Sequence, residues 1–301
     1  MSRARRLESA AVAALAPVLV LAPVWLAAMV LYWAAARPLL AAAPVPVPWW
    51  APALAWIVAG LGLFVRPIQV LMLSPALGAR RPTPAESARV EPVWHDVATA
   101  AGIPPQHFVL RVVDSDEINA FACGGHLLVV TTFALDELGA DELAGVLAHE
   151  LSHHLGLHTV ALTIGHWLSL PILGLARIGF FLQNVARAAT DSFVSHSAAL
   201  TALGRVAAGV LTAFSWVFLA ALHLSEIVSN LVGHGSEFEA DRRAVHLGYG
   251  RELAAALRRL IAGGGGARSL GWRARLRTSH PAARTRVARI EAILRHPAQS
   301  S

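Results

Sequence analysis

The chain has 301 residues, enough for one or two domains with a sizeable core. It is 55% hydrophobic and 15% charged, with a mean hydropathy of +0.54, whereas a soluble globular domain carries about 25% charged residues. Net charge is +6 and every basic residue is arginine; the arginines collect next to apolar runs and in the C-terminal quarter and do not form an aromatic-interleaved patch, a pattern that disfavours nucleic acid as a partner and favours orientation by the positive-inside rule.

Arg3, Arg5 and Arg6 precede an uncharged apolar run over residues 10–33. That is long enough to cross a hydrocarbon core of about 30 Å and too long for the h-region of a cleaved signal peptide. A second run, residues 49–65, opens on Trp49-Trp50 and stops at Arg66, the flanks of a helix end at a headgroup layer. Between them Pro44-Val45-Pro46-Val47-Pro48 cannot be helical. The stretch from Arg66 to His158 reads as soluble. Thr83-Pro84-Ala85-Glu86 is a capping box with proline at the first helical position, and the helix it opens runs towards Gly102 with Pro92 as an expected bend. Residues 108–113 and 126–132 read as short strands. Cys123, the single cysteine, allows no intrachain disulfide and reads as a small apolar strand residue. Asp141 opens the next helix.

That helix carries His149-Glu150-Leu151-Ser152-His153. Histidines at i and i+4 share a helical face, so two imidazoles can reach one zinc ion, and the glutamate between them can take a proton from a water on that ion. Val146, Leu147 and Leu151 give the helix a buried side, where unpaired polar groups would be costly. A third ligand on the same helix would need histidine at 159, which is Thr159; His158 lies on the wrong face, and His154 and His158 read as surface or supporting histidines. Glu237-Phe238-Glu239-Ala240-Asp241 offers a better one. Glu237 and Asp241 share a helical face, so Glu237 can bind the metal while Asp241 orients a ligand histidine. In isolation such spacing would mean a solvated face.

Residues 160–182 and 206–222 form two further apolar runs. The second reads as a span. The first contains His166, Pro171 and Arg177. An arginine at mid-span costs about 2.5–3.5 kcal/mol on the insertion scale, but Arg177 sits near one end where it can snorkel, so this run also reads as a span. An apolar hairpin of both runs, lying on the membrane or packed on the catalytic domain, is the alternative. Gly263 to Gly266 reads as a flexible connector, since neither strand nor lysine flanks it as a phosphate loop requires.

These motifs together resemble the integral-membrane zinc proteases that include the bacterial heat-shock protease HtpX and the type I CAAX prenyl endopeptidases. Asn119-Ala120-Phe121-Ala122-Cys123-Gly124-Gly125 resembles that family's edge-strand motif, the zinc helix and Glu237-x-x-x-Asp241 follow, and His280-Pro281 with Arg286 comes last. The resemblance implies a mainly α fold with a small β-sheet (α+β), in which multi-span membrane helices carry a zincin-type (gluzincin) catalytic domain. It implies one Zn2+ per chain on His149, His153 and Glu237, Glu150 as base and Asp241 in support. His280 and Arg286 would stabilise charge on the attacked carbonyl, and Asn119 and Ala120 would pair with an extended substrate. The expected organisation is two transmembrane helices in 1–66, catalytic segments in 67–158 and 225–301, and an apolar hairpin in 159–224. The implied activity is a zinc metalloendopeptidase acting on membrane or membrane-proximal polypeptides, multi-pass in the plasma membrane with its site facing the cytoplasm. CAAX processing is disfavoured by the small number of spans. A sensor-transducer protease and a zinc-stabilised inactive scaffold are the alternatives.

Overall fold

A computed structural model describes residues 15–41, 46–116, 120–123, 125–155, 158–193, 197–263 and 283–296. Helices dominate. In chain order they are α1 (Ala16–Leu40), α2 (Ala51–Gly62), α3 (Arg66–Leu77), α4 (Pro84–Ala100), α5 (Thr132–Glu137), α6 (Ala140–Leu155), α7 (His158–Phe193), α8 (Ala198–His246), α9 (Gly250–Ala262) and α10 (Ala283–Arg295). The strands are β1 (Ala79–Arg80), β2 (Val109–Val113), β3 (Ala120–Cys123) and β4 (Leu127–Thr131), so the fold is mainly α with one small mixed sheet.

The described residues divide into two compact units, those of 15–60 with 164–228, and those of 61–163 with 229–263 and 283–296. In the first, Leu21, Trp25, Ala28 and Met29 of α1 pack with Ala53, Ile172, Ala176 and Phe218. Pro171 lies inside α7 and has no N–H, which strips the Trp167 carbonyl of its helical donor. The indole of Trp56 supplies the replacement: Nε1 donates to the Trp167 oxygen at 3.2 Å, and Trp167 Nε1 donates to the Trp56 oxygen at 2.9 Å. The two rings stack at 4.4 Å, and Gly60 leaves room for them, since a Cβ there would lie 2.6 Å from Trp167 Nε1.

Among the described residues three helices are long and apolar enough to cross a membrane: residues 16–40, 159–191 and 198–246. The second N-terminal run is not one continuous helix. It forms only α2, about 18 Å at 1.5 Å per residue, and after Val65 the chain bends by 91° into α3. Proline near the start of α3 and an extended Val65 account for the break.

In the other unit the strand order is β1-β2-β4-β3. β2 and β4 are parallel, β1 and β3 antiparallel to their neighbours, and β3 stands at an edge. β4 is buried along its whole length, which explains its unbroken Leu-Leu-Val-Val run. One face of the sheet packs on α4, α6 and α9, through Trp94, Val97, Leu128, Val130, Leu147, Leu151 and Leu253. The other face meets Leu73 and Leu77 of α3. The Thr83–Glu86 capping box forms as expected, and α4 continues through Pro92.

Candidate metal centre

α6 positions the site. Its apolar side, Leu143, Leu147 and Leu151, is fully buried in the sheet-facing core, which fixes the rotation of the helix and the direction of its polar turn. Gly145 sets how closely α9 approaches: a Cβ at this position would lie 2.2 Å from the Leu253 backbone nitrogen. His149, Glu150 and His153 are all buried on α6, and α8 brings Glu237 and Asp241 to them, both buried.

The imidazole and carboxylate atoms converge. His149 Nε2 and His153 Nε2 are 3.2 Å apart, and Glu237 Oε1 and Oε2 lie 3.1 Å from His153 Nε2 and 3.4 Å from His149 Nε2. Tetrahedral zinc with bonds of about 2.0–2.1 Å separates its ligand atoms by roughly 3.3 Å. The donor set and its spacing therefore fit zinc, and among the described residues these three form the group that could hold a metal ion.

Asp241 supports the set. His149 Nδ1 donates to Asp241 Oδ1 at 3.0 Å, which fixes the tautomer that leaves Nε2 free to bind a metal. Burial and Arg286 both disfavour charge on His149. Asp241 and Glu237 outweigh them and raise its pKa to about 9, so a proton competes with metal for this nitrogen at neutral pH.

Arg286, on α10, is buried beneath both carboxylates. Its Nε and Nη2 donate to the two Asp241 oxygens at 2.9 and 2.6 Å, and Nη1 lies 3.2 Å from Glu237 Oε2. Burial works against its charge, but Asp241 and then Glu237 and Glu150 more than restore it. The sequence resemblance implies that Arg286 acts on the substrate carbonyl; its contacts here are with Asp241, Glu237 and the His149 ring. Arg243, which sequence reasoning passed over, reaches from α8 to the Ser152 carbonyl on α6 at 3.1 Å and pairs with Glu239. Glu239 also pairs with Arg242. The Glu239–Arg243 spacing of i,i+4 was the available signal.

His154 is not on the surface. It is buried against the Phe108 ring at 4.6 Å, with Nδ1 3.2 Å from Thr159 Oγ1. Burial, partly offset by the Leu127 backbone, pushes its pKa down to about 3. Ala120 lies on the edge strand β3, paired in register with Val130. Asn119, His280, the side chains of Cys123 and His158, and the glycines 264–266 lie outside the described residues.

Comparison with known proteins adds three findings. The family model described as peptidase family M48 matches residues 84–294, more than half of the chain. A protease HtpX homolog of Acidiphilium cryptum (strain JF-5) is 31% identical over 169 residues, covering 54% of this chain and 53% of that protein. The match thus spans about half the length of this curated relative. The crystal structure of S. mikatae Ste24p superposes with a TM-score of 0.47 at 20% identity, over 78% of this chain and 58% of that one.

Proposed function

The chain belongs to peptidase family M48, and on that footing we propose that it is a membrane-integral zinc-dependent metalloendopeptidase that hydrolyses peptide bonds of membrane or membrane-proximal proteins. The observation that carries the proposal is the convergence of His149, His153 and Glu237, at zinc-like spacing, beside a buried Glu150 on the same turn of α6. One Zn2+ would be held by these three residues. When bound it supplies a Lewis acid for the peptide carbonyl and a water of lowered pKa.

The remaining roles belong to the chain itself. The Glu150 carboxylate accepts the proton of the attacking water and returns it to the departing amide nitrogen. Asp241 holds His149 in the Nδ1–H tautomer, and Arg286 helps keep Asp241 ionised and pairs with Glu237. The open edge of β3 offers main-chain groups to an extended substrate at Ala120 and, one residue earlier in sequence, Asn119. His280 is assigned, from the family resemblance alone, to charge on the attacked carbonyl. The four-part organisation with boundaries at 66, 158 and 224 and a cytoplasm-facing site in the plasma membrane belong to the same proposal. They are supported by the apolar helices and by the arginines at positions 3, 5, 6, 80 and 81.

The test is Glu150→Gln beside Glu237→Ala in purified, zinc-reconstituted protein. Glu150→Gln should abolish casein cleavage and retain metal; Glu237→Ala should lose metal. Zinc loss in the first variant, or full zinc in the second, overturns the assignment.

A further inference from the structure

Helix α3 is amphipathic in the inverted sense. Its polar residues Gln69 and Ser74 are buried, whereas Ile68, Leu71, Met72 and Pro75 are exposed, with Leu71 at 74% and Met72 at 51%. Positions 68, 71, 72 and 75 fall at i, i+3, i+4 and i+7, one continuous stripe on a helical surface. The inward side is already committed, since Leu73 and Leu77 pack on the sheet and Gln69 is fully buried. Rotating the helix to hide the stripe would unpack both.

The stripe borders a cleft of about 410 Å³ lined by Arg66, Pro67, Val70, Leu71, Val109 and Arg111. No carboxylate lines it, and neither arginine pairs with one among the described residues. An apolar floor between two guanidinium groups complements lipid phosphates lying over acyl chains. In sequence α3 also begins directly after the apolar run 49–65, whose flanks Trp49-Trp50 and Arg66 are residue types favoured at a headgroup layer.

We propose that α3 lies in the headgroup layer of the bilayer, with Ile68, Leu71 and Met72 in the acyl boundary and Arg66 and Arg111 on lipid phosphates. The inference rests on the membrane reading above and adds a second, non-spanning attachment that belongs to the catalytic unit itself. It has a direct route to the site. Gln69 Nε2 donates to the Leu63 carbonyl at 3.0 Å, and Gln69 Oε1 accepts from the His126 backbone N–H at 3.0 Å. His126 is in the turn between β3 and β4, so one buried amide pins the membrane-lying helix to the hairpin that carries the edge strand. A substrate strand adding to β3 would be received at a fixed height beside the headgroups, which selects polypeptide close to the membrane surface.

The experiment is depth measurement by spin labelling of the full chain in phosphatidylcholine/phosphatidylglycerol vesicles. In a Cys123→Ala background, single cysteines replace Ile68, Leu71 or Met72, with Leu19→Cys on α1 as a span control and Glu91→Cys on α4 as an aqueous control. Labels at 68, 71 and 72 should collide more often with oxygen than with a nickel chelate. Their depth should be about 5–10 Å below the phosphates, shallower than Leu19. Adding Arg66→Gln and Arg111→Gln should move the Leu71 label towards water. Nickel access equal to that at Glu91, with Leu19 still in lipid, overturns the proposal and leaves the membrane reading intact. Leu19 in water would sink the membrane reading itself. Labels at bilayer-centre depth would make α3 part of a span, and labels shielded from both reagents would mean a protein partner; either result rejects the proposal.

Discussion

Arg286 decides between two kinds of chemistry at a single residue. Its guanidinium is buried and bridges Asp241 and Glu237, so removing it leaves two carboxylates buried without their cation. Breaking a buried ion pair from one side costs about 3–5 kcal/mol. Arg286→Ala should therefore lower both the melting temperature and zinc occupancy, and Arg286→Lys should restore part of each. Full metal and stability with only kcat reduced would mean that the guanidinium acts on substrate instead, as the family resemblance implies. The cluster of His149, His153 and Glu237 was legible in the sequence because i,i+4 spacing is a local property of one helix, visible at His149/His153 and at Glu237/Asp241. The hold of Arg286 on Asp241 was not, because those residues lie on separate helices that only the folded core brings together. Gln69 was equally silent. One glutamine in an apolar helix gives no sign that it faces inward until both ends of its amide have partners.

At the scale of elements, helix ends were the most readable features and close approaches the least. The Thr83–Glu86 box follows from residue types alone, and the structure adds Arg80, whose Nη1 and Nη2 hold the two Glu86 oxygens at 2.7 and 2.9 Å. That contact, with the Thr83 backbone behind it, takes the Glu86 pKa from 4.5 down to about 2. A carboxyl with a depressed folded pKa adds stability above its unfolded value and loses it as pH falls through the folded one. The destabilisation caused by Glu86→Gln should thus be complete at pH 7 and shrink between pH 4.5 and 2. It should be modest throughout, because Arg80 is 38% exposed and solvent screens the pair. Melting curves of wild type and variant at pH 7 and 3 in detergent check this; an equal gap at both values would refute it. Gly145 is a different case, invisible in sequence because its reason is the backbone of another helix. In an open helix, Gly→Ala gains roughly 0.5–1 kcal/mol. At Gly145 the new methyl would drive into Leu253, so Gly145→Ala should lower the melting temperature, whereas Gly235→Ala, which meets nothing within 4 Å, should not. The end of α2 at Gly62 was hidden for a related reason: the apolar run continues to Val65 while the helix does not.

For the whole molecule, composition announced the membrane and the run lengths located its helices, but hydropathy does not say which side faces in. The arginine distribution predicts that the segments around Ala43 and Asp191 face outward. Cysteines introduced there should react with an impermeant maleimide in intact cells; reaction only after lysis would reverse the orientation. The order of the proposed ligands along the chain has a consequence in time. Synthesis delivers His149 and His153 first, then α7 and the apolar start of α8, and only afterwards Glu237, with Arg286 later still. On the proposed ligand set a half-made chain would display the motif without its third ligand, and competence would wait on synthesis of the last apolar segment. Ribosome-stalled chains with Glu237 still inside the exit tunnel should hold no zinc and cleave nothing, while the released chain does both. Zinc retained by the stalled chain would mean that the first two histidines suffice. If they do not, the long interruption between ligands acts as a safety interval that keeps a newborn hydrolase inert beside its own translocation machinery.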